Sequence, residues 1–212
     1  MLIARRRLLS LGLAALPLVA APALAGEACQ PVDPAKGIVF KRQDGTRGLV
    51  RREGDGTLVI DYVTNKGDWM DRRRSRMGIF ELGRELNESE YPLVGSAPPE
   101  WVWKFPGKLP EPEAGKSWSG TVRETLIQIS YGEEMKENRS ETKSRWQATY
   151  RFLERKEVKI SGCFYLILPV EAEFVSGAAK RSQRWIYFER EGFAIETRAD
   201  GKDNGIVAMT PA

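Results

Sequence analysis

From residue 145 the chain reads RWQATYRF. Trp146, Ala148, Tyr150 and Phe152 fall on one side of an extended strand, and Arg145, Gln147, Thr149 and Arg151 on the other. Successive strand side chains point to opposite faces, so this alternation is that of an antiparallel strand with one face buried. Comparable short runs recur along the chain. GIVFKRQ closes on Asp44-Gly45, TRGLVRRE on Gly54-Asp55-Gly56, and TLVIDYVT on Asn65-Lys66-Gly67. RSQRWIYFEREGFAIETR turns near Glu191-Gly192, and Asp200-Gly201 makes a further hairpin before GIVAMT closes the sheet. Apolar runs separated by such dipeptides are hairpins. The expected fold is therefore all-β, an antiparallel meander forming a curved open sheet or half-barrel with little helix beyond the N-terminal leader.

That leader is MLIARRRLLSLGLAALPLVAAPALA. Arg5, Arg6 and Arg7 form a positive start, Leu8 to Leu24 an apolar run, and Ala23-Leu24-Ala25 a small-residue cleavage site. This reads as an export signal, residues 1–25, leaving 26–212 as a single β-rich domain in the periplasm or outside the cell. Either the general secretory or the twin-arginine route fits the arginine run. Pro17 and Pro22 interrupt the apolar stretch, so no membrane span is expected after cleavage. Within the domain, 36–94 and 101–209 are candidate sub-sheets joined by the proline-rich stretch from Glu100 to Trp118, read as a surface connector. The chain has two cysteines, and an oxidising compartment implies that Cys29 and Cys163 form a disulfide.

The composition contains no histidine. Ser-His-Asp and Cys-His catalysis and histidine-ligated metals are thereby excluded, and two cysteines cannot supply a four-thiolate zinc site. No glycine-rich nucleotide loop occurs. DGKDNG at 200–205 lacks the third-position and twelfth-position oxygen ligands of a calcium loop. No cofactor or metal is expected, and the chain reads more as a binder than as an enzyme. Of 33 basic and 29 acidic residues the leader holds three arginines and no acid, so the remainder is near neutral. A nucleic-acid partner is not expected of such a balance. The one basic cluster, DRRRSR at 71–76, reads as a charged strand edge, with an anionic lipid or glycan as the functional alternative.

Three constellations carry functional readings. Trp101, Trp103 and Phe105 share one strand face and form either a stacking platform or core. Glu171 and Glu173 also share a face, and a carboxylate-dependent hydrolase of envelope glycans would use them as acid and nucleophile. The apolar faces of 122–131, 146–152 and 164–174 either fill a core or line a ligand-holding concavity. A small apolar or glycan ligand would then sit in the concave face of the C-terminal strands, near Trp103, Trp118, Trp146 and Trp185. An envelope accessory or scaffold protein acting by binding is the favoured reading. Its alternatives are the hydrolase and a module that binds only a protein partner.

The stretch leading into Gly115-Lys116-Ser117-Trp118, the Tyr150-Arg151-Phe152 strand, Val158 to Gly162 before Phe164, and RWIYFEREGFAIETR together resemble small exported bacterial β-meander proteins of uncharacterised function. The resemblance covers residues 104 to 209, and Arg190-Glu191-Gly192 lacks the proline usual in that hairpin. It implies an open curved antiparallel sheet and an envelope location. It implies no catalytic residue.

Overall fold

The computed structural model describes residues 29–64, 69–88, 97–132 and 136–212. The leader and the turn at Asn65-Lys66-Gly67 lie outside these residues. The described chain is 67% strand with no helix, in a single antiparallel sheet of 14 strands that is not closed.

The N-terminal strands are β1 (Ile38–Arg42), β2 (Arg47–Arg52), β3 (Leu58–Val63), β4 (Trp69–Arg76) and β5 (Phe80–Glu88). After β6 (Glu100–Lys104) come the long β7 (Ser117–Tyr131) and β8 (Glu137–Phe152), then β9 (Lys156–Ile160), β10 (Cys163–Ser176), β11 (Ala179–Phe188) and β12 (Phe193–Ala199). The chain ends in β13 (Lys202–Asp203) and β14 (Ile206–Pro211). Spatial order follows sequence from β1 to β8, after which β10, β11, β12 and β13 continue on one side while β14 pairs with β1 on the other. β9 also pairs with β10, along the edge that β8 occupies further on.

Two readings are corrected. DRRRSR is not an edge: β4 is hydrogen-bonded to β3 on one side and β5 on the other. Glu100 to Trp118 is not merely a connector, because β6 lies between β5 and β7 and joins the two halves into one sheet. A Trp-Val-Trp run supplies a good strand despite the flanking prolines, which fall outside the ladder.

A twisted sheet of more than about ten strands must curl or split, and this one rolls past itself. On β10, Cys163, Tyr165 and Ile167 belong to one buried cluster with Phe40, Leu58, Ile60 and Phe193. Leu168, Val170, Ala172 and Phe174 belong to a second, with Trp146, Tyr150 and Trp185. The same strand thus buries one face along its first half, with Phe164 and Leu166 exposed on the other, and the opposite face along its second half. β4 to β12 curl around the second cluster, and β1, β2, β3 and β14 overlap the outer face of β10 to β12 around the first. β12, whose first five residues Phe193–Thr197 are all buried, is covered on both faces along that stretch, as its apolar sequence shows.

The overlap needs close backbone approach. Gly78, in the turn between β4 and β5, has a φ of 76°, and a Cβ there would collide with the backbone of Ala194 on β12. Asp200 and Gly201 both have positive φ in the two-residue turn between β12 and β13, as the Asp-Gly signal requires. The free edge at β13 is two exposed, charged residues long, which blunts strand addition. The other end, β14, approaches β9, where the Met209 N–H donates to Ser161 Oγ over 2.9 Å. Cys29 and Cys163 are joined in a disulfide that ties the N-terminal segment to β10 across 134 residues.

Candidate functional site

Inside the curl of β4 to β12 the sheet register places one row of side chains on the concave face. Pairing of Arg73 with Arg84, Arg84 with Trp101, and Trp103 with Glu124 carries the row from β4 to β7. Pairing of Phe174 with Arg181 and Trp185 with Glu196 carries it to β12. These strands leave a cleft of about 320 Å³ between them, at the low end of the range of about 300–1,000 Å³ for small-molecule sites.

One wall of the cleft is aromatic. Trp101, Trp103, Phe105, Tyr150 and Phe174 line it. Trp103 meets Phe174 edge to face with ring centroids 5.7 Å apart, and Phe174 meets Tyr150 in the same way at 5.7 Å. Such contacts fix ring orientation beyond what apolar burial alone would do.

The opposite wall is ionic. Arg73 donates through Nη1 to Glu196 Oε2 at 2.7 Å and through Nε and Nη2 to Asp71 Oδ2 at 3.0 and 2.7 Å. Arg84 clamps the same Asp71 with Nε at 2.8 Å and Nη2 at 3.1 Å. Gln183 Nε2 donates to Glu196 Oε2 at 2.9 Å, and Arg42 reaches the Glu196 carbonyl from behind at 3.2 Å. The guanidinium carbons of Arg42 and Arg73 lie 4.7 and 5.0 Å from the ring centroid of Tyr62, a member of the first apolar cluster, so the ionic wall abuts that cluster through this ring. Burial works against the Arg73 charge, but Glu196, Asp71 and Glu81 outweigh it and hold the guanidinium protonated. Burial likewise pushes the Asp71 carboxyl up, and Arg73 and Arg84 overcome it, holding its pKa below the ordinary value.

Glu81 is the exception. It lines the cleft, its nearest cation is Arg73 at 3.8 Å, and its side chain is 17% exposed. Burial pushes its pKa up from 4.5 to about 7, against the pull of Arg73 and Arg84. At the cleft rim Arg181 donates to Glu124 at 2.8 Å, and its guanidinium carbon lies 4.1 Å from the Trp146 ring centroid.

Of the tryptophans read from sequence, Trp103 lines the cleft. Trp118 packs behind it against Phe80, Phe105 and Tyr150. Trp146 and Trp185 are each 4% exposed, with Trp185 stacked on Tyr150 at 6.0 Å. Glu171 and Glu173 lie on the other face of β10. Glu171 accepts from Arg184 at 2.6 Å, and Glu173 pairs with Arg151 at 3.4 Å and Lys180 at 3.6 Å. Among the described residues no group of three or more acidic or cysteine side chains could hold a metal ion.

Sequence reading missed Arg73, Glu81, Arg84 and Glu196. Glu196 carried a signal: GFAIETR sets one carboxylate on the Ala194 side of an otherwise apolar strand. Arg73 had none, because DRRRSR does not reveal which arginine faces inward. On the convex side, Arg72 and Arg74 border a groove of about 490 Å³ with Arg51, Glu53 and Glu85. Arg51 and Arg72 both pair with Asp61, and Arg74 pairs with Glu53, as the cleft arginines pair with their own carboxylates; what this groove, which Arg84 also borders, lacks is an aromatic wall.

No family model, curated protein or solved structure matches the chain. Among the described residues no helix is long and apolar enough to cross a membrane.

Proposed function

We propose that the chain is an exported envelope protein that acts by binding a small ligand in the cleft between the aromatic wall of β6, β8 and β10 and the ionic wall of β4, β5 and β12. The observation that carries this reading is the meeting of those walls around open space. Charged groups in a rolled sheet are costly to bury, and a closed core would have replaced Arg73 and Glu196 with apolar side chains at no loss of stability. Preset polar groups beside an aromatic surface are instead the ordinary composition of a ligand site. The export signal, the disulfide and the loose likeness to exported β-meander proteins support the periplasm or the exterior as the place of action.

The hydrolase alternative receives no support from the cleft, since Glu171 and Glu173 lie outside it in ion pairs. A protein-partner module would use a sheet edge: β13 offers two charged residues, and β14, at the other end, is laddered only to β1 and lies close to β9.

Native mass spectrometry of the protein recovered from the bacterial envelope tests the reading. The expected result is a bound mass lost on denaturation and absent from Trp103→Ala. A chain that carries no ligand, or one whose ligand survives Trp103→Ala unchanged, overturns the cleft as the binding site.

A further inference from the structure

The two walls of the cleft constrain what can enter it. An acyl chain would press hydrocarbon against Arg73, Glu81 and Glu196 and strip water from charges without replacing its hydrogen bonds. A flat ring with one apolar face and a polar rim suits both walls. Its C–H face lies on Trp101 or Trp103, while its rim meets the guanidinium groups.

Open hydrogen-bonding capacity in the cleft lies on both sides: Glu81 accepts no hydrogen bond among the described residues, its nearest cation being Arg73 at 3.8 Å, and two arginines keep donors unspent. Arg84 spends Nε and Nη2 on Asp71, leaving Nη1 without a partner among the described residues. Arg181 spends Nη1 on Glu124. Each arginine is therefore held in place by a carboxylate behind it while part of its planar fork stays open, which is the geometry that receives a carboxylate. Arg84 also lies over Trp101, its guanidinium carbon 5.6 Å from the ring centroid, so the stacking surface and the open fork adjoin.

We propose that the ligand is an acidic saccharide, a sugar ring bearing a carboxylate, stacked on the Trp101 and Trp103 wall with its carboxylate at the arginines Arg84 and Arg181. The proposal rests on the binding reading above and names the ligand class of the same cleft. Glu81 is compatible with it. With its pKa pushed up to about 7 by burial, it carries a proton for much of the time near neutrality, donates to a ligand oxygen, and repels a ligand carboxylate less than an ordinary glutamate would.

The test compares three probes on the full chain by isothermal titration and tryptophan quenching: trigalacturonate, its fully methyl-esterified form and laurate. The acid should bind at least tenfold more tightly than the ester, which keeps the rings but replaces each carboxylate with an uncharged methyl ester, and than laurate, which carries a carboxylate but has no ring. Arg84→Gln should erase the preference of acid over ester. Arg181→Lys guards against misfolding, since it keeps the charge beside Glu124; it should weaken the acid selectively because the fork is lost. Equal binding of acid and ester overturns the acidic class, and tighter binding of laurate overturns the saccharide. In both cases the cleft reading survives if Trp103→Ala abolishes the signal. Failure of all three probes also overturns the ligand class, while the bound mass from the envelope, compared with Trp103→Ala, judges the cleft separately.

Discussion

Strands β10, β11 and β12 contribute side chains to both buried clusters, and the two clusters are made differently. Toward β1, β2, β3 and β14 they present Tyr165, Ile167, Phe188, Phe193 and Ile195, and what meets them is Ile38, Phe40, Leu58 and Ile60. Toward β4 to β8 they present Ala172, Phe174 and Trp185 at one level and Gln183 and Glu196 at the next, where the cleft opens. The backbone, strand twist and register are shared, so the difference lies in what each face is required to exclude. The face that seals is apolar and anchored by a disulfide. The face that stays open keeps its arginines and carboxylates and pairs them with one another.

The largest effect should come from the sealed side. Replacing Cys29 and Cys163 together with alanine frees a loop of 134 residues, which in the chain-entropy treatment costs about 5 kcal/mol. That is a large share of the roughly 5–15 kcal/mol a domain has available. Urea unfolding with and without reductant measures it. The comparison predicts that, below the transition, the reduced protein still binds its cleft ligand with unchanged affinity. A cleft that empties on reduction before the chain unfolds would show that the two faces are not separable.

Arg73→Met attacks the open side. It leaves Asp71, Glu81 and Glu196 close together with their shared cation gone, and removal of one partner from a buried ionic group costs about 3–5 kcal/mol. Phe193→Ala, on the sealed face, should cost about as much, through lost burial and a cavity. The two are told apart by pH: the Arg73→Met loss should shrink on acidification as the orphaned carboxylates take up protons, whereas that of Phe193→Ala should not.

The division between these faces explains what the sequence could and could not reveal. Alternation in RWQATYRF and the Asp-Gly turn at 200 are local, and they located β8 and the hairpin between β12 and β13 directly. The disulfide followed from two cysteines and an export signal. Rolling of the sheet is not local: nothing in residues 163 to 170 announces that Tyr165 and Val170 serve different cores, because that stretch is apolar on both sides and does not show where the buried side changes. For the same reason an inward arginine in DRRRSR was indistinguishable from a solvated one until Ile60 was paired with Arg73. Aromatic residues at period two were legible as an inward row, and Trp103 among them lines the cleft. Trp118, Trp146 and Trp185 share the row but sit where the curl has no opening.

Glu81 gives a smaller effect with a definite sign. Burial raises its pKa from 4.5 to about 7, with Arg73 and Arg84 opposing and Asp71 and Glu196 reinforcing the shift. Between these values the folded protein keeps a proton that the unfolded chain has already lost. Its contribution is therefore fully present below about pH 4.5 and is lost as the pH rises toward 7 and above. The loss amounts to about 3 kcal/mol for a shift of this size. Glu81→Gln should remove this slope and make the protein more stable than the parent at pH 8 by a similar margin, read as the difference between urea midpoints at pH 5 and pH 8. A parent whose stability does not fall across that window would mean that the ionic wall solvates Glu81 as well as water does.

The smallest effect belongs to Glu171 and Glu173, and it separates binding from catalysis. Their partners Arg184, Arg151 and Lys180 are 35%, 50% and 63% exposed. Pairs so wetted are worth about 0–1 kcal/mol. The double change Glu171→Gln with Glu173→Gln should accordingly shift the unfolding midpoint little and leave ligand binding in the cleft intact, since neither side chain lines it. Hydrolysis of envelope glycan fragments by the parent that disappears in the double variant would reverse the roles of the two surfaces. The convex face of β10 would then carry chemistry, and the cleft would be reduced to holding the roll together. Unchanged binding with no hydrolysis in either protein leaves the function where the aromatic and ionic walls meet, on the concave side.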